Sequence, residues 1–379
     1  MKITLIGLGA EEGDLSVKAD EALRGATKIL ARTAHMPAFA CVEKYGAQPL
    51  DCIFESSRNF DTLNKKLAAA VLAAAKESDV VYCVDGAVCE DNACKMILAK
   101  HRDTVVFEGV SKAARAASLA HLKGGQYVSV SAYDIKNLKS APAAVVYDVD
   151  GDFAASEVKQ RLSELFGEEL DCSFIRGASV KKIKIYEIDR QKEYDCTCAV
   201  AVEEPEFLHK ERYDYADLLQ IVRMLRAPGG CPWDRVQTND TIKQNMIEEA
   251  YELVDAINRK DDDGIEEECG DVLLQAAFHT VLKEEQGAFT SGDVLSRVVK
   301  KLIFRHSHIF GKDKASDEDS ALNVWEKNKM EEKHQTTFTE SLKAVPVNFP
   351  ACMRAQKVGK RAAKSGMDFL SSLSASEKM

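Results

Sequence analysis

The spacing of apolar positions changes about halfway along the chain. Over residues 1–202 short apolar runs alternate with longer amphipathic stretches. Ile3 to Leu8 predicts a strand that ends in Gly7-Leu-Gly9, and a helix is expected over Val17 to Leu30. Residues 62–76 predict an Ala- and Leu-rich helix, and Asp79 to Val84 a strand that ends at Asp85-Gly86. Further strands are expected at Thr104 to Phe107, Tyr127 to Val130 and Ala143 to Val149, with helices near 90–100, 111–122 and 154–166 between them. This alternation predicts an α/β domain with a largely parallel sheet. The runs Lys182 to Ile188 and Thr197 to Val202 lie closer together and predict antiparallel strands. Sheets of this kind place ligands outside the C-terminal strand ends. Gly7, Gly9, Asp85 and Gly86 are therefore candidate cofactor-binding residues, although a lone G-x-G is also what any tight turn needs. No G-x-x-x-x-G-K-[S/T] occurs, which excludes a P-loop.

From Tyr215 onward the period is helical. The charged stretch 203–213, broken by Pro205, reads as a linker, giving an α/β domain over 1–205, a linker over 206–214, an all-α domain over 215–336 and a tail over 337–379. Tyr215 to Leu225 predicts a helix stopped by Ala227-Pro-Gly-Gly230. Cys231-Pro-Trp-Asp234 then reads as a rigid turn, with Trp233 as a core anchor. Ile242, Met246, Ile247, Ala250, Leu253, Val254 and Ile257 recur at helical spacing, with Asp240 as the expected N-cap. The loop Asn258 to Gly264 joins this helix to a second one. Residues 272–282 of the second helix are apolar nearly all round, the pattern of a buried helix. A third helix starts at Asp293 and runs from Val294 to Arg305.

Charge changes the picture at the junction of the first two helices. The stretch Glu248 to Asp271 holds eleven acids against two bases, in a chain of 379 residues with a net charge of -10. At about 100° per residue, Glu248, Glu249 and Glu252 share one helical stripe, and Glu268 and Asp271 share a face of the next helix. Glu268 and Asp271 stand one turn before the apolar run, with Gly270 suggesting a close approach. Carboxylates near a core pair or bind metal. An oxygen-only set selects a hard ion, Mg²⁺ or Mn²⁺. Asp261 to Asp263, Glu266 and Glu267 read as solvated acids near a helix N-terminus. Lys301 and Arg305 share a face; they offset the helix dipole or clamp phosphate. Trp325 and Lys329 lie on one side of a final helix. His306-x-His308 and Cys196-Thr-Cys198 lack further ligands at metal spacing.

Composition narrows the function classes. The chain is long enough for two domains, and no apolar run approaches the length of a membrane span. Its start, Met-Lys-Ile-Thr, runs straight into a strand and reads as no signal peptide. Eleven irregularly spaced cysteines read as reduced thiols of a cytoplasmic protein. An acidic chain is not expected to bind nucleic acid broadly.

The order of segments over roughly 1–200 resembles the tetrapyrrole methylase family, which implies S-adenosylmethionine as cofactor. Its usual G-x-G-P-G-D loop stands here as Gly7-Leu-Gly-Ala-Glu-Glu-Gly-Asp14, and its Val-Pro-Gly loop as Val84-Asp-Gly86. Both departures predict a retained fold with lost or altered activity. Over 216–335, Cys231-Pro-Trp-Asp234, Glu248-Glu-x-x-Glu252, Glu268-x-x-Asp271, Lys301 to Arg305 with His306-x-His308, and Trp325-Glu-x-x-Lys329 occur in the order of MazG-type nucleoside triphosphate pyrophosphohydrolases. Ser307 replaces the usual Pro between the histidines. The whole order resembles the YabN-type fusion of the two domains. The resemblance implies Glu249, Glu252, Glu268 and Asp271 as metal ligands and Glu248 as a ligand or the water-activating base. It implies Lys301, Arg305, Trp325 and Lys329 as nucleotide contacts. The expected activity is Mg²⁺-dependent hydrolysis of nucleoside triphosphates to monophosphate and pyrophosphate, with broad base preference, in a homodimer. The rivals are a tetrapyrrole-type methyltransferase with a regulatory helical part, and a non-catalytic dimerisation module. The tail starts like a second MazG-type lobe but holds no second E-E-x-x-E, and Lys357 to Lys364 reads as a solvated face.

Overall fold

The structure is a computed structural model that describes residues 1–57, 59–123, 125–333 and 337–364. The expected boundary at 336 and the Ser-rich end of the tail lie outside the described residues. The chain divides into two units, Met1–Tyr213 and Asp214–Met379.

The first unit holds two five-stranded sheets, where the sequence suggested one. The strands of the first are β1 (Ile3–Gly7), β2 (Ile29–Ala31), β3 (Gln48–Pro49), β4 (Val80–Val84) and β5 (Thr104–Phe107), in the order β3-β2-β4-β1-β5. All their pairings are parallel. β1 and β4 are apolar on both faces, because helices cover each side; Leu67, Val71 and Ile97 pack on one and Leu23 and Val42 on the other. The second sheet has β6 (Val128–Ser131), β7 (Ala143–Tyr147), β8 (Asp171–Arg176), β9 (Ser179–Lys184) and β10 (Cys198–Glu203), in the order β6-β7-β10-β8-β9. Only β6 and β7 pair parallel; the others are antiparallel.

Two sequence expectations fail here for local reasons. The helix expected over Val17 to Leu30 stops at Arg24, where Gly25 caps it, and Ile29–Ala31 becomes β2. The run Lys182 to Ile188 is a strand only to Lys184; Glu187 then accepts from the Lys184 N–H at 2.8 Å and folds Ile185–Arg190 into a 3-10 turn.

The second unit is helical: α1 (Tyr215–Arg226), α2 (Asn245–Arg259), α3 (Asp262–Glu285), α4 (Ser291–Arg305), α5 (Glu318–Glu332), α6 (Phe338–Lys343) and α7 (Ala351–Lys364). Asp214 caps α1, accepting from Ala216 and Asp217. Asp240 is not the cap of the acidic helix. Thr238 caps a separate short helix, Asn239–Ile242, and α2 begins at Asn245 without a side-chain cap. The α2–α3 turn is tighter than expected, only Lys260 and Asp261. Lys260 adopts a left-handed φ of 57°, and Asp261 caps α3 through the Gly264 N–H at 3.1 Å. Thr290, not Asp293, caps α4, with Asp293 completing a capping box.

The core of this unit is Leu219 and Val222 from α1, Ile242, and Ala277, Phe278, Val281 and Leu282 from the C-terminal half of α3. Arg223–Glu284 and Arg226–Glu285 pairs, both at 2.7 Å, tie α1 to α3. The expected buried run therefore holds for its second half, but Leu273 is 52% exposed. Trp233 is not a core anchor. It sits on a short helix, Pro232–Val236, that has no buried residue, and is 58% exposed, while Leu219 and Val222 of α1 fill the core. Gly270 has open space where a Cβ would stand, so no close approach within this chain requires it.

Candidate functional site

The two-residue turn folds α2 back along α3, so that Glu249 and Glu252 in the N-terminal half of α2 meet Glu268 in the first half of α3, ahead of the core. Single carboxylate oxygens of Glu249, Glu252 and Glu268 lie within 4.8 Å of one another. Among the described residues this is the one group of three or more side chains able to share a metal ion. Glu249 and Glu268 are half-buried and Glu252 is exposed. Glu268 Oε2 is shut off from solvent and has no hydrogen-bond partner. Asp271, half-buried, follows three residues after Glu268 on the same face. Glu248 is exposed and stands outside the trio.

The electrostatics follow from this crowding. Partial burial first, then Asp271 and Glu252, push the Glu249 carboxyl above its ordinary range, against a lowering contact from Gln275. Burial, then Glu252, Glu267 and Asp271, do the same to Glu268. Like charges this close disfavour the ionised form, and a cation among them reverses that. The donor set is carboxylate oxygen only, one oxygen is sealed and unpaired, and among the described residues no cation forms an ion pair with the trio. These residues fit a hard divalent cation. Sequence reasoning passed over Gln275, whose Nε2 reaches Glu249 at 3.5 Å. Its position four residues after Asp271 was the available signal.

The cationic group forms between α4 and α5. Arg305 is buried and pairs with Glu332 at 2.6 Å. Its guanidinium lies 5.2 Å from the Trp325 ring centroid, and Lys329 Nζ lies 4.5 Å from the same centroid. Partial burial, then Lys333 and Arg305, lower the Lys329 ammonium's pKa. Lys301 is half-buried one turn before Arg305. Asn328, buried, donates to the Phe304 carbonyl at 3.2 Å and to Ser307 Oγ at 2.7 Å, holding the end of α4 against α5. Glu332 and Asn328 were not read from the sequence, because their partners lie more than twenty residues away. His306 Nδ1 contacts the Leu302 carbonyl at 2.7 Å, and the described residues include no acid or cysteine that groups with His306 and His308 at metal-ligand distance.

In the α/β unit, Gly7, Gly9, Asp85 and Gly86 gather at the C-terminal ends of β1 and β4. Gly9 and Gly86 form an isolated antiparallel bridge, with Gly86 N–H donating to Gly9 at 2.8 Å. Asp85 accepts from Lys112 Nζ at 3.0 Å. Cys196 lies in a turn and Cys198 in β10, and both are free thiols.

Residues 237–310 match the family described as MazG nucleotide pyrophosphohydrolase domain. YabN of Bacillus subtilis (strain 168) is 32% identical over 378 residues, covering 95% of this chain and 76% of YabN. The nucleoside triphosphate pyrophosphohydrolase of Escherichia coli (strain K12) is 41% identical over 153 residues, which is 40% of this chain and 58% of that enzyme. MazG of Thermotoga maritima is 39% identical over 155 residues, covering 41% of this chain and 59% of that protein. Among solved structures, uroporphyrin-III-C-methyltransferase from Thermus thermophilus aligns with a TM-score of 0.43 at 18% identity, over 54% of this chain and 94% of that one. No helix of the described residues is long and apolar enough to cross a membrane. Identity along nearly the whole length, with the MazG match inside the helical unit that follows the α/β unit, means that the chain belongs to the YabN family.

Proposed function

We propose that the helical unit hydrolyses nucleoside triphosphates between the α- and β-phosphates, releasing a monophosphate and pyrophosphate, with Mg²⁺ or Mn²⁺ held by Glu249, Glu252, Glu268 and Asp271. The observation that carries this reading is the convergence of Glu249, Glu252 and Glu268 with a sealed, unpaired Glu268 oxygen, inside the segment that matches the MazG domain. The named hydrolases of Escherichia coli and Thermotoga maritima support the substrate class. Bound by these carboxylates, the cation would supply Lewis acidity.

The protein's own groups divide the remaining work. Glu248, solvent-facing beside the trio, orients a water or takes its proton. Arg305 and Lys301 hold phosphate oxygens, the first as a planar fork and the second as a point charge, and Lys329 adds a third cation for the leaving pyrophosphate. Trp325 offers its ring to the base. Stacking tolerates every base, which gives broad preference and suits removal of unwanted nucleotides. The working form is a homodimer. Ile247, Tyr251, Val254 and Ile257 on α2, Leu273 on α3, and Val299, Leu302 and Ile303 on α4 are each about half-exposed in the single chain. Apolar stripes of that size mark an interface, and pairing two hairpins would enclose the acidic pocket. The free thiols among the described residues fit a reducing, cytoplasmic setting.

The test is turnover of several ribo- and deoxyribonucleoside triphosphates against Mg²⁺ concentration. Activity is expected to require the ion and to vanish with chelator. Full activity in chelator, with no divalent ion present, would remove the carboxylates from the proposed role.

A further inference from the structure

The tetrapyrrole methylase resemblance implies S-adenosylmethionine at the C-terminal ends of β1 and β4, and the residues there do not fit it. Two cavities of about 150 and 100 Å³ open at this end of the sheet, and Asp85, Lys112, Asp148 and Cys196 line both. Pockets that take a ligand of this size run to roughly 300 Å³ or more. What divides the space is the chain itself. Lys112 Nζ donates to Asp85 at 3.0 Å and to Asp148 at 2.6 Å, and lies 5.3 Å from the Tyr147 ring centroid. Ser131 Oγ donates to the other Asp148 oxygen at 2.9 Å. At the wall of the larger cavity, Arg115 grips Glu11 through both nitrogens at 2.7 and 2.5 Å.

The glycines point the same way. A Cβ on Gly7 would stand 2.5 Å from the Gly109 nitrogen and 2.6 Å from the Gly86 oxygen. A Cβ on Gly86, whose φ is 68°, would meet Glu90 Oε2 at 2.6 Å and Lys112 Cγ at 2.8 Å. Gly7 therefore serves backbone packed on backbone, and Gly86 makes room for the Glu90 carboxylate and the stem of the chain's own lysine. The loop amides are also taken: Ala10 and Glu11 N–H donate to Asp14 at 2.9 and 3.1 Å. Burial would lower the Lys112 pKa, but Asp148 and Asp85 outweigh it and hold it above its ordinary value. The cleft keeps its cation.

We propose that the α/β unit has no S-adenosylmethionine site, because Lys112 is a resident cation that fills the cleft and joins the end of β4 to the end of β7. A sulfonium ligand would have to displace an ammonium already bonded to two carboxylates. The unit then performs no methyl transfer; its cleft is closed by its own side chain, whatever the helical unit hydrolyses.

Two measurements on the full-length chain test this, and neither reads nucleotide hydrolysis. Equilibrium dialysis with labelled S-adenosylmethionine, up to about 1 mM where specific binding is weakest, is expected to show no saturable binding. Saturable binding there overturns the proposal. The second is thermal unfolding of Lys112→Ala, which leaves Asp85 and Asp148 facing a vacated space. A fall of about 5 °C or more is expected in the transition of this unit. Methylammonium is expected to reverse it saturably, and sodium at equal ionic strength is not. Lys112→Met keeps the stem without the charge; it is expected to be destabilised and to gain nothing from methylammonium. A Lys112→Met chain as stable as the parent, or a folded Lys112→Ala chain indifferent to methylammonium, contradicts the resident-cation reading. If Lys112→Ala does not fold, the Met variant and the dialysis decide.

Discussion

A glutamate on an open helix face is satisfied by water. Glu268 differs because one of its oxygens is walled off while Glu249 and Glu252 press on the other side. Removing a single charge should therefore be felt more in function than in folding. Glu252→Gln is expected to reduce turnover roughly 100-fold or more, the scale of losing a principal electrostatic contact in an active site. Its circular dichroism and melting temperature should match the parent or exceed it. A rate within twofold of the parent would count against the carboxylate site. Trp325→Ala is expected to raise KM about tenfold with kcat little changed, since one lost stacking contact is worth about 1–3 kcal/mol. An unchanged KM for every nucleotide would place the ring outside the substrate site. At this scale much was legible. E-E-x-x-E and E-x-x-D put carboxylates on helix faces by spacing alone. Glu332 was not, because a partner 27 residues from Arg305 in sequence leaves no local period.

The long elements were legible for the same reason: a 24-residue helix such as α3 repeats its pattern many times. Short ones were not. β3 is two residues long, and β2 is three residues that the helical pattern before them absorbed. Capping was half-legible. Asp240 and Thr238 are both good caps, and only the break between the short helix and α2 decides for Thr238. The apolar residues of α2 are legible by their helical spacing, yet in the single chain Ile247, Val254 and Ile257, like Val299 and Ile303 on α4, are about half-exposed. The proposed homodimer would cover these residues. Replacing Val299 and Ile303 by Asp is expected to convert the protein to monomers in sedimentation equilibrium and to lower activity with it. A parent that sediments as a monomer at micromolar concentration would remove the dimer from the account.

Across the whole molecule the two units carry opposite kinds of charge arrangement. In the helical unit like charges are left facing one another, so a ligand ion is expected to stabilise it. In the α/β unit opposite charges neutralise each other internally. Asp85 is half-buried, and burial would raise its pKa, yet Lys112 and then Arg32 hold it below its ordinary 3.8. Its contribution is present above that value and is lost as pH falls through the lowered one. Lys112 is raised above its ordinary 10.5, so its contribution is present below that value and is lost only as pH rises through the raised one. Glu90, Asp150 and Tyr147 also face this network. The melting temperature of the α/β unit is expected to be flat between about pH 5 and 9 and to fall on further acidification. In Lys112→Met the acid limb should be shallower, and an acid limb unchanged from the parent would contradict the pairing. The two-sheet division of this unit escaped the sequence, because β8 adds an antiparallel pairing that has no helix to announce it. The change of period near residue 214 was plain, since it needs only a switch from alternating runs to helical spacing.

The central claim is that the acidic pocket on α2 and α3 serves cleavage between the α- and β-phosphates. Phosphorus NMR of the full-length chain with ATP and Mg²⁺ tests it directly. AMP and pyrophosphate should rise together in equal amounts, with no ADP intermediate, and Glu252→Gln should form both at least about 100-fold more slowly. ADP with orthophosphate as the first products, or identical spectra from the parent and Glu252→Gln, would contradict it.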